Sequence, residues 1–222
     1  MNIHFRKTIL RDNDFNVKTI TKTIQVLTPG NNDIVVFTYS GHGFSYIEDE
    51  QNKFPQLALW HGESPKKDFI RVNTINLEEI YKMILTKKAR LSIVTGDCCN
   101  SYIEMRRQHT EPTLPGVFGP RDKNWNHKAV SQLFLETRQS YLMAAAQKGE
   151  VAASHRWYGG FFTFQFLETI NEKLLDRQPR KPGWDDIIGK IGKEAYDLSQ
   201  RYPCREAVCG QHLISKTGNS LH

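Results

Sequence analysis

Two runs of apolar, β-branched residues in this chain end in polar and chemically reactive side chains. One run covers residues 33–39 and is followed by His42 between two glycines, and the other covers residues 91–95 and is followed by an aspartate and two cysteines at 97–99. Short apolar runs bounded by polar residues are typical of buried strands. Because ligands bind beyond the carboxyl ends of parallel strands in open α/β sheets, neighbouring strands here would bring the histidine and the cysteines to one cleft.

The remaining pattern alternates between helical and extended periodicity. It predicts helices over residues 17–27 (with Asn16 as N-cap), 76–88, 161–170 and 184–200, and further strands over 2–10, 57–60, 69–72, 139–146 and 207–215. The strands at 57–60 and 69–72 are predicted to form a hairpin. Alternating strands and helices predict an α/β fold, a three-layer sandwich with a mostly parallel central sheet. No repeat or second domain is indicated, so residues 1–222 are predicted to form a single domain.

Composition narrows the classes of partner. No apolar run approaches the roughly 20 residues of a membrane span, and the first residues lack a signal-peptide pattern, so no membrane partner is expected. The net charge of +6 comes without a ribonucleoprotein motif or zinc-finger spacing, which argues against nucleic acid as a partner. Four cysteines, two of them adjacent, make a poor disulfide framework, so a reduced, cytoplasmic setting is expected.

A thiol and an imidazole at one cleft predict nucleophilic catalysis. The thiolate is the reactive form of cysteine, and a nearby imidazole helps to generate it. Glycines on both sides of His42 let a substrate backbone approach closely. The backbone N–H groups of Gly43 and Cys99 are candidates for an oxyanion hole in an acyl-transfer reaction. Cys98 and Cys99 both remain candidates for the nucleophile at this point.

Three short motifs resemble one family. Tyr39-Ser40-Gly41-His42-Gly43 is similar to the histidine motif of caspase-like cysteine peptidases, and Asp97-Cys98-Cys99-Asn100-Ser101 resembles the Asp-Ser-Cys-His-Ser block of metacaspases. Ala144-Ala145-Ala146-Gln147, Glu150 and Gly159-Gly160-Phe161-Phe162-Thr163 resemble the segment that follows the cysteine strand in bacterial members. The motifs occur in family order over roughly residues 15 to 175, which identifies the chain as resembling metacaspases and clostripain-like enzymes of the caspase fold.

The resemblance implies roles for individual residues. His42 would be the general base or thiolate partner, and Cys99 the nucleophile, since the family cysteine lies two places after the aspartate; Cys98 remains the alternative nucleophile. Asp97 would line the pocket for the substrate residue before the cleaved bond, which implies cleavage after Arg or Lys. The alternative for Asp97 is a carboxylate that accepts hydrogen bonds from backbone N–H groups.

The chain departs from the family pattern at two points. It starts near the family's second strand, so the predicted fold lacks the usual first strand and helix. Asn100 replaces the histidine of the metacaspase block. The basic loop 102–138 corresponds to a linker that is often cut in the family, and self-cleavage after a basic residue there is a hypothesis.

The sequence therefore predicts a cysteine endopeptidase that acts on protein or peptide substrates through a thioester acyl-enzyme. The alternative is a caspase-fold interaction module without competent catalysis. No organic cofactor is expected, and no calcium loop is evident, although some metacaspases depend on calcium. The spacing of Cys204, Cys209 and His212 matches no zinc pattern, so no metal is assigned. Glu150 and Ser154 are candidates either for shaping the substrate pocket or for a solvated strand end. Trp157 is a candidate for a wall of that pocket, with an ordinary core or surface aromatic as the alternative.

Overall fold

A computed structural model describes residues 4–60, 67–103, 125–155, 159–175, 183–201 and 210–218. The strands are β1 (Ile34–Ser40), β2 (Gly43–Phe44), β3 (Gln56–Ala58), β4 (Thr74–Asn76), β5 (Leu91–Asp97), β6 (Gln139–Ala144), β7 (Ser154–His155), β8 (Gly159–Gly160) and β9 (Ile214–Gly218). The helices are α1 (Val17–Gln25), α2 (Lys67–Val72), α3 (Leu77–Leu85), α4 (His127–Val130), α5 (Phe161–Leu175) and α6 (Trp184–Arg201). A 3-10 turn at Asp12–Asp14 and a π-helical segment at Ser131–Glu136 complete the described elements.

The central sheet has the order β1-β5-β6-β9. β1, β5 and β6 are parallel, and β9 runs antiparallel to β6. The two strands that carry the candidate chemistry are therefore direct neighbours, as the sequence predicts. Their register runs without interruption from Ile34 opposite Leu91 to Ser40 opposite Asp97, so both strands end at the same level. The prediction of an α/β fold with a mostly parallel sheet is confirmed.

Apolar side chains from alternate strand positions pack on opposite faces of this sheet. Val94 packs in one core cluster with residues of α1 and α3, including Ile20 and Ile80. Ile93 packs in a second cluster with residues of α5 and α6, including Ile187. Every residue of β5 is buried, as expected for a strand covered on both faces. The sheet lies between two helical layers, which confirms the three-layer sandwich.

Two helices begin at the caps that their sequences provide. The Asn16 side chain accepts a hydrogen bond from the Thr19 N–H at the start of α1, as predicted. The Asn76 side chain accepts one from the Glu78 N–H at the start of α3. An amide oxygen at the N-cap satisfies a backbone donor that the helix itself leaves without a partner. Both helices end earlier than predicted, α1 at Gln25 and α3 at Leu85.

Three predicted strands differ in the structure. Residues 4–10 form no strand; Phe5 and Ile9 are 84% and 62% exposed, and an extended segment needs a neighbour to pair with. Residues 69–72 lie in helix α2, and the hairpin prediction is wrong: β3 pairs instead with β2 and β4. Among the α2 side chains that the structure describes, residues 68–72, Ile70 is the buried one, and a single buried position does not show the alternation expected of a strand. The last strand, β9, lies further along the chain than predicted.

None of the described helices is long and apolar enough to cross a membrane.

Candidate active site

His42 and Cys99 occupy equivalent places beyond two paired strands. Ser40 and Asp97 form the last pair of the β1–β5 ladder, and each candidate residue lies two positions further along its own chain segment. Both therefore leave the same edge of the sheet side by side. This is the edge at which ligands bind in open α/β folds. The structure thus brings together the two segments that the sequence proposes.

Hydrogen bonds join these two segments before and after the candidate residues. The Gly41 N–H donates to the Asp97 carbonyl at 3.3 Å, and the Ser45 N–H donates to the Ser101 carbonyl at 2.8 Å. Between these bonds, a Cβ atom added to Gly43 would lie 2.5 Å from the Cys99 carbonyl oxygen. The histidine segment therefore lies in backbone contact with the cysteine segment, and only a residue without a side chain fits at Gly43.

The hydrogen-bond pattern of β2 and β3 sets the direction of the Gly43 N–H. Ala58 donates its N–H to the His42 carbonyl at 2.9 Å, so these two residues form a hydrogen-bonded pair. The next pair, Gly43 opposite Leu57, is then a non-hydrogen-bonded pair of the antiparallel ladder. Its N–H points away from β3, to the side on which the Ser45 N–H reaches the cysteine segment. This direction fits the predicted oxyanion hole, whose role stays a prediction.

The His42 backbone is fixed by a buried tyrosine that sequence reasoning missed. The Tyr39 hydroxyl lies 2.6 Å from the His42 carbonyl oxygen and 3.0 Å from the Ala58 carbonyl oxygen. Tyr39 is 5% exposed, whereas His42 itself is exposed to solvent. A tyrosine three positions before a histidine carries no sequence signal for this contact, because it depends on the approach of β3.

The two adjacent thiols differ in environment. Cys98 is 2% exposed, and burial, with smaller contributions from Cys99 and Asp97, raises the pKa of its thiol well above the ordinary value. Cys99 is half-buried, and its Sγ lies 3.8 Å from the Ala152 carbonyl oxygen. Since the thiolate is the reactive form, the environment of Cys98 disfavours it as a nucleophile.

Asp97 lies at the start of helix α5. Its carboxylate accepts a hydrogen bond from the Thr163 N–H at 3.0 Å and is in close contact with Gly160, where an added Cβ would overlap it. Asp97 is 7% exposed, and burial raises the pKa of its carboxyl, with hydrogen bonds from Thr163 opposing that rise. These contacts correspond to the alternative role for Asp97, a carboxylate that accepts backbone N–H groups. The substrate-pocket role stays a prediction.

Glu150 is a buried carboxylate bound to the C-terminal segment. It is 6% exposed, and its side chain accepts a hydrogen bond from the His212 N–H at 2.8 Å and contacts His212 Nδ1 at 2.6 Å. Gln147 Nε2 donates to it at 2.8 Å. His212 therefore has a carboxylate partner, while Cys204, Cys209 and Trp157 lie outside the described residues. Ser154 lies in the short strand β7 and is exposed.

No metal site can be assigned to the described part of the chain. Within it, no three His, Cys, Asp or Glu side chains group as metal ligands would. Calcium would need several carboxylate and carbonyl oxygens around one point, and the sequence contains no evident calcium loop. The basic part of loop 102–138 that the self-cleavage hypothesis concerns lies mostly outside the described residues, apart from Lys128 and Arg138.

Comparisons with known proteins give the family of the chain. The family model described as the caspase domain matches residues 2–179. No curated protein matches the sequence. Similar solved structures include a Geobacter sulfurreducens protein determined as a structural-genomics target (16% identity, 91% of this chain and 71% of that chain, TM-score 0.46). Caspase-1 from Spodoptera frugiperda is another (9% identity, 91% of this chain and 66% of that chain, TM-score 0.45).

Proposed function

This chain belongs to the caspase-domain family, and we propose that it is a cysteine endopeptidase that cleaves protein or peptide substrates after Arg or Lys. The observation that carries this proposal is the pair of hydrogen bonds, from Gly41 to Asp97 and from Ser45 to Ser101, with His42 and Cys99 on the two segments between them. A Cys-His peptidase needs its two groups on adjoining backbone segments at an open edge of the fold.

The proposed reaction begins at Cys99. Its thiolate attacks the carbonyl carbon of the scissile bond, and the resulting oxyanion accepts hydrogen bonds from the Gly43 and Cys99 N–H groups. The His42 imidazolium donates a proton to the leaving amine, and the C–N bond breaks to give a thioester and a free amine. His42 then accepts a proton from a water molecule that attacks the thioester; the C–S bond breaks, which releases the carboxylic acid and regenerates the Cys99 thiolate and the His42 imidazolium.

Cys99 is favoured over Cys98 by accessibility. Cys98 is 2% exposed and its thiol pKa is raised by burial, whereas Cys99 is half-buried. A substrate carbonyl needs access to the attacking sulfur as well as a populated thiolate. The Cys98 sulfur also lies against Gly43, where an added Cβ atom would stand 2.5 Å from it.

The preference for cleavage after Arg or Lys is the more specific part of the proposal. It rests on Asp97, the residue two positions before Cys99, as in the resemblance above. A partly desolvated carboxylate favours a cationic side chain, and Arg can bind it through two parallel hydrogen bonds. Asp97 also contacts the start of α5, and the Asp97→Asn variant separates the two roles.

The deciding experiment measures hydrolysis of peptide amides ending in Arg, Lys or Asp by the wild-type chain and by Cys99→Ala, His42→Ala and Cys98→Ala. We expect cleavage after Arg and Lys, its loss in Cys99→Ala and His42→Ala, and its retention in Cys98→Ala. Retained cleavage in Cys99→Ala with loss in Cys98→Ala would reverse the assignment of the nucleophile. A correctly folded wild-type chain that cleaves none of the three peptides would instead support an interaction module.

Self-cleavage in loop 102–138 is the proposed activation step. That loop is rich in the basic residues after which the enzyme would cut: Arg106, Arg107, Arg121, Lys123, Lys128 and Arg138. Mass analysis of purified wild type beside Cys99→Ala tests it, with cleavage expected only in the wild type. A wild-type chain that stays intact and fully active would remove the idea.

A further inference from the structure

We infer that Asn100 is a positioning residue that holds the His42 segment against the Cys99 segment, an inference that rests on the proposed function. Asn100 follows the proposed nucleophile directly and is 0% exposed. Its side-chain oxygen accepts a hydrogen bond from the Ser45 hydroxyl. Ser45 lies three residues after His42, so this bond joins the two catalytic segments through buried side chains.

The amide nitrogen of Asn100 extends the connection to two further segments. Nδ2 donates to the Lys53 carbonyl at 2.8 Å and to the Ala146 carbonyl at 3.2 Å. Lys53 lies between His42 and strand β3, and Ala146 lies just beyond the end of β6. One carboxamide therefore satisfies groups from three parts of the chain. The bonds to Ser45 and Ala146 are buried, so each of these two partners would otherwise lie buried with one hydrogen bond fewer, which is costly.

The backbone of Asn100 is held as firmly as its side chain. Its N–H donates to the Glu150 carbonyl at 2.9 Å, and its carbonyl accepts from the Gly149 N–H at 2.9 Å. The first bond fixes the peptide unit that joins Cys99 to Asn100, and the second fixes the unit that joins Asn100 to Ser101. The conformation of the Cys99 backbone, and with it the direction of the Cys99 side chain, is therefore determined in part by Asn100.

Ser45, in the His42 segment, is bound to the Cys99 segment through both its backbone and its side chain. It is 4% exposed, its N–H donates to the Ser101 carbonyl, and its carbonyl accepts from the Ile103 N–H at 3.2 Å. The hydroxyl contact with Asn100 is the side-chain bond of this set. Removing that hydroxyl leaves the backbone hydrogen bonds of Ser45 in place. Ser45→Ala therefore tests the side-chain bond to Asn100 while the two segments stay joined through their backbones.

Only a carboxamide provides this combination of groups. It offers two N–H donors for two carbonyl oxygens and one acceptor for a hydroxyl. An aspartate of the same shape would direct an oxygen at the two carbonyl oxygens, and an alanine would leave all three partners without their bond. The chemistry of the side chain, beyond its size, is therefore what the position requires.

The test measures the rate at which iodoacetamide alkylates Cys99 between pH 5 and 9, resolved from Cys98 by fragment-ion mass spectrometry, together with kcat/KM on the preferred peptide amide. We expect Ser45→Ala and Asn100→Asp to lower the alkylation rate at pH 6 by about tenfold, the change that one pKa unit makes in the thiolate fraction below the pKa. The midpoint of the pH profile should move toward that of an unassisted thiol. kcat/KM should fall in parallel.

The chain offers matched controls for both changes. Asn76 is also a buried amide (3% exposed) that donates from Nδ2 to a carbonyl, that of Phe54, and accepts from a backbone N–H, that of Glu78. Ser140 is a buried serine (1% exposed) at the opposite end of the central sheet. Asn76→Asp and Ser140→Ala should leave the alkylation profile of Cys99 unchanged, even where they lower the melting temperature.

The outcomes separate the inference from the proposed function. If wild-type Cys99 alkylates as a thiolate at pH 6 and the peptide is cleaved, but Ser45→Ala and Asn100→Asp keep the wild-type profile, the positioning role is overturned and the function stands. The same holds if the control variants shift the profile as much as the test variants. If wild-type Cys99 titrates as an ordinary thiol and no peptide is cleaved, the proposed function and the inference both fail. Should Asn100→Asp not fold, Ser45→Ala alone decides.

Discussion

Gly43 approaches Cys99 so closely that a Cβ atom on Gly43 would stand 2.5 Å from the Cys99 carbonyl oxygen and 2.5 Å from the Cys98 sulfur. The first neighbour is backbone, which cannot rotate away as a side chain can. The hydrogen bonds at Gly41 and Ser45 hold the same two segments together on either side. The glycine is therefore required by the distance between the segments that carry the proposed dyad.

We expect Gly43→Ala to lower kcat/KM by about 10²-fold, because an added methyl group must push the histidine and cysteine segments apart, and a displacement of about 1 Å costs that much. The matched change is Gly189→Ala, in α6, where an added Cβ meets nothing within 4 Å. This control should keep full activity and raise the free energy of unfolding by up to about 1 kcal/mol through helix propensity. Peptide hydrolysis and urea denaturation of both variants check the prediction, which full activity in Gly43→Ala would contradict.

A second prediction concerns Tyr39, whose hydroxyl lies 2.6 Å from the His42 carbonyl oxygen. Tyr39→Phe removes this contact and should lower kcat/KM by roughly fivefold, the equivalent of about 1 kcal/mol for one hydrogen bond. Tyr81→Phe is the matched control, since Tyr81 is 1% exposed and donates to the Ser140 carbonyl at 3.2 Å, far from the site. Both variants should lose similar stability in thermal denaturation. Equal losses of activity in the two variants would show that Tyr39 acts on stability alone.

The sequence predicts the central part of this fold because local pattern and burial agree there. The run before His42 and the run before the cysteines are apolar and β-branched, and both form strands of the central sheet. The N-cap Asn16 and the helical spacing of the buried residues of α6, from Trp184 to Ala195, likewise show agreement between local pattern and burial. The parallel pairing of β1 with β5 then follows from the α/β alternation, and that pairing brings the two motifs together.

Other features depend on contacts that no local pattern encodes. Residues 69–72 contain enough β-branched and aromatic character for a strand, yet they form a helix because β4 occupies the edge of the small sheet. The bonds of Asn100 to Ser45, Lys53 and Ala146 join positions about 50 residues apart. The contact of Asp97 with the start of α5 is equally remote in sequence, at 66 residues from Thr163. The sequence shows that these polar residues are present, but it does not show which of them form hydrogen bonds with each other.

A third prediction separates the two roles of Asp97. If its carboxylate binds the substrate cation, Asp97→Asn should lower kcat/KM for Arg and Lys peptides by about 10- to 100-fold, matching the roughly 1.5–3 kcal/mol of a hydrogen bond to a charged group. The alkylation rate of Cys99 by iodoacetamide should change little, because a neutral alkylating reagent does not use the pocket. A uniform fall for all peptides and for alkylation, with a lower melting temperature, would instead show that Asp97 acts by holding the start of α5.

The last prediction follows from the raised pKa of the Asp97 carboxyl in the folded protein. Between about pH 3.9, the ordinary value for Asp, and that raised pKa, the folded chain keeps a proton on Asp97 that the unfolded chain has lost. The contribution of Asp97 to the free energy of unfolding therefore decreases as the pH rises through this window and is constant above it. Asp97→Asn does not titrate, so the free energy of unfolding of the variant minus that of wild type should increase with pH across the same window.

Thr163→Val removes a side-chain hydrogen bond that lowers the pKa of Asp97, so this variant should extend the window to higher pH. Urea denaturation of the three proteins at closely spaced pH values gives the curves; parallel curves for wild type and Asp97→Asn would mean that the carboxyl titrates alike in the folded and unfolded chains.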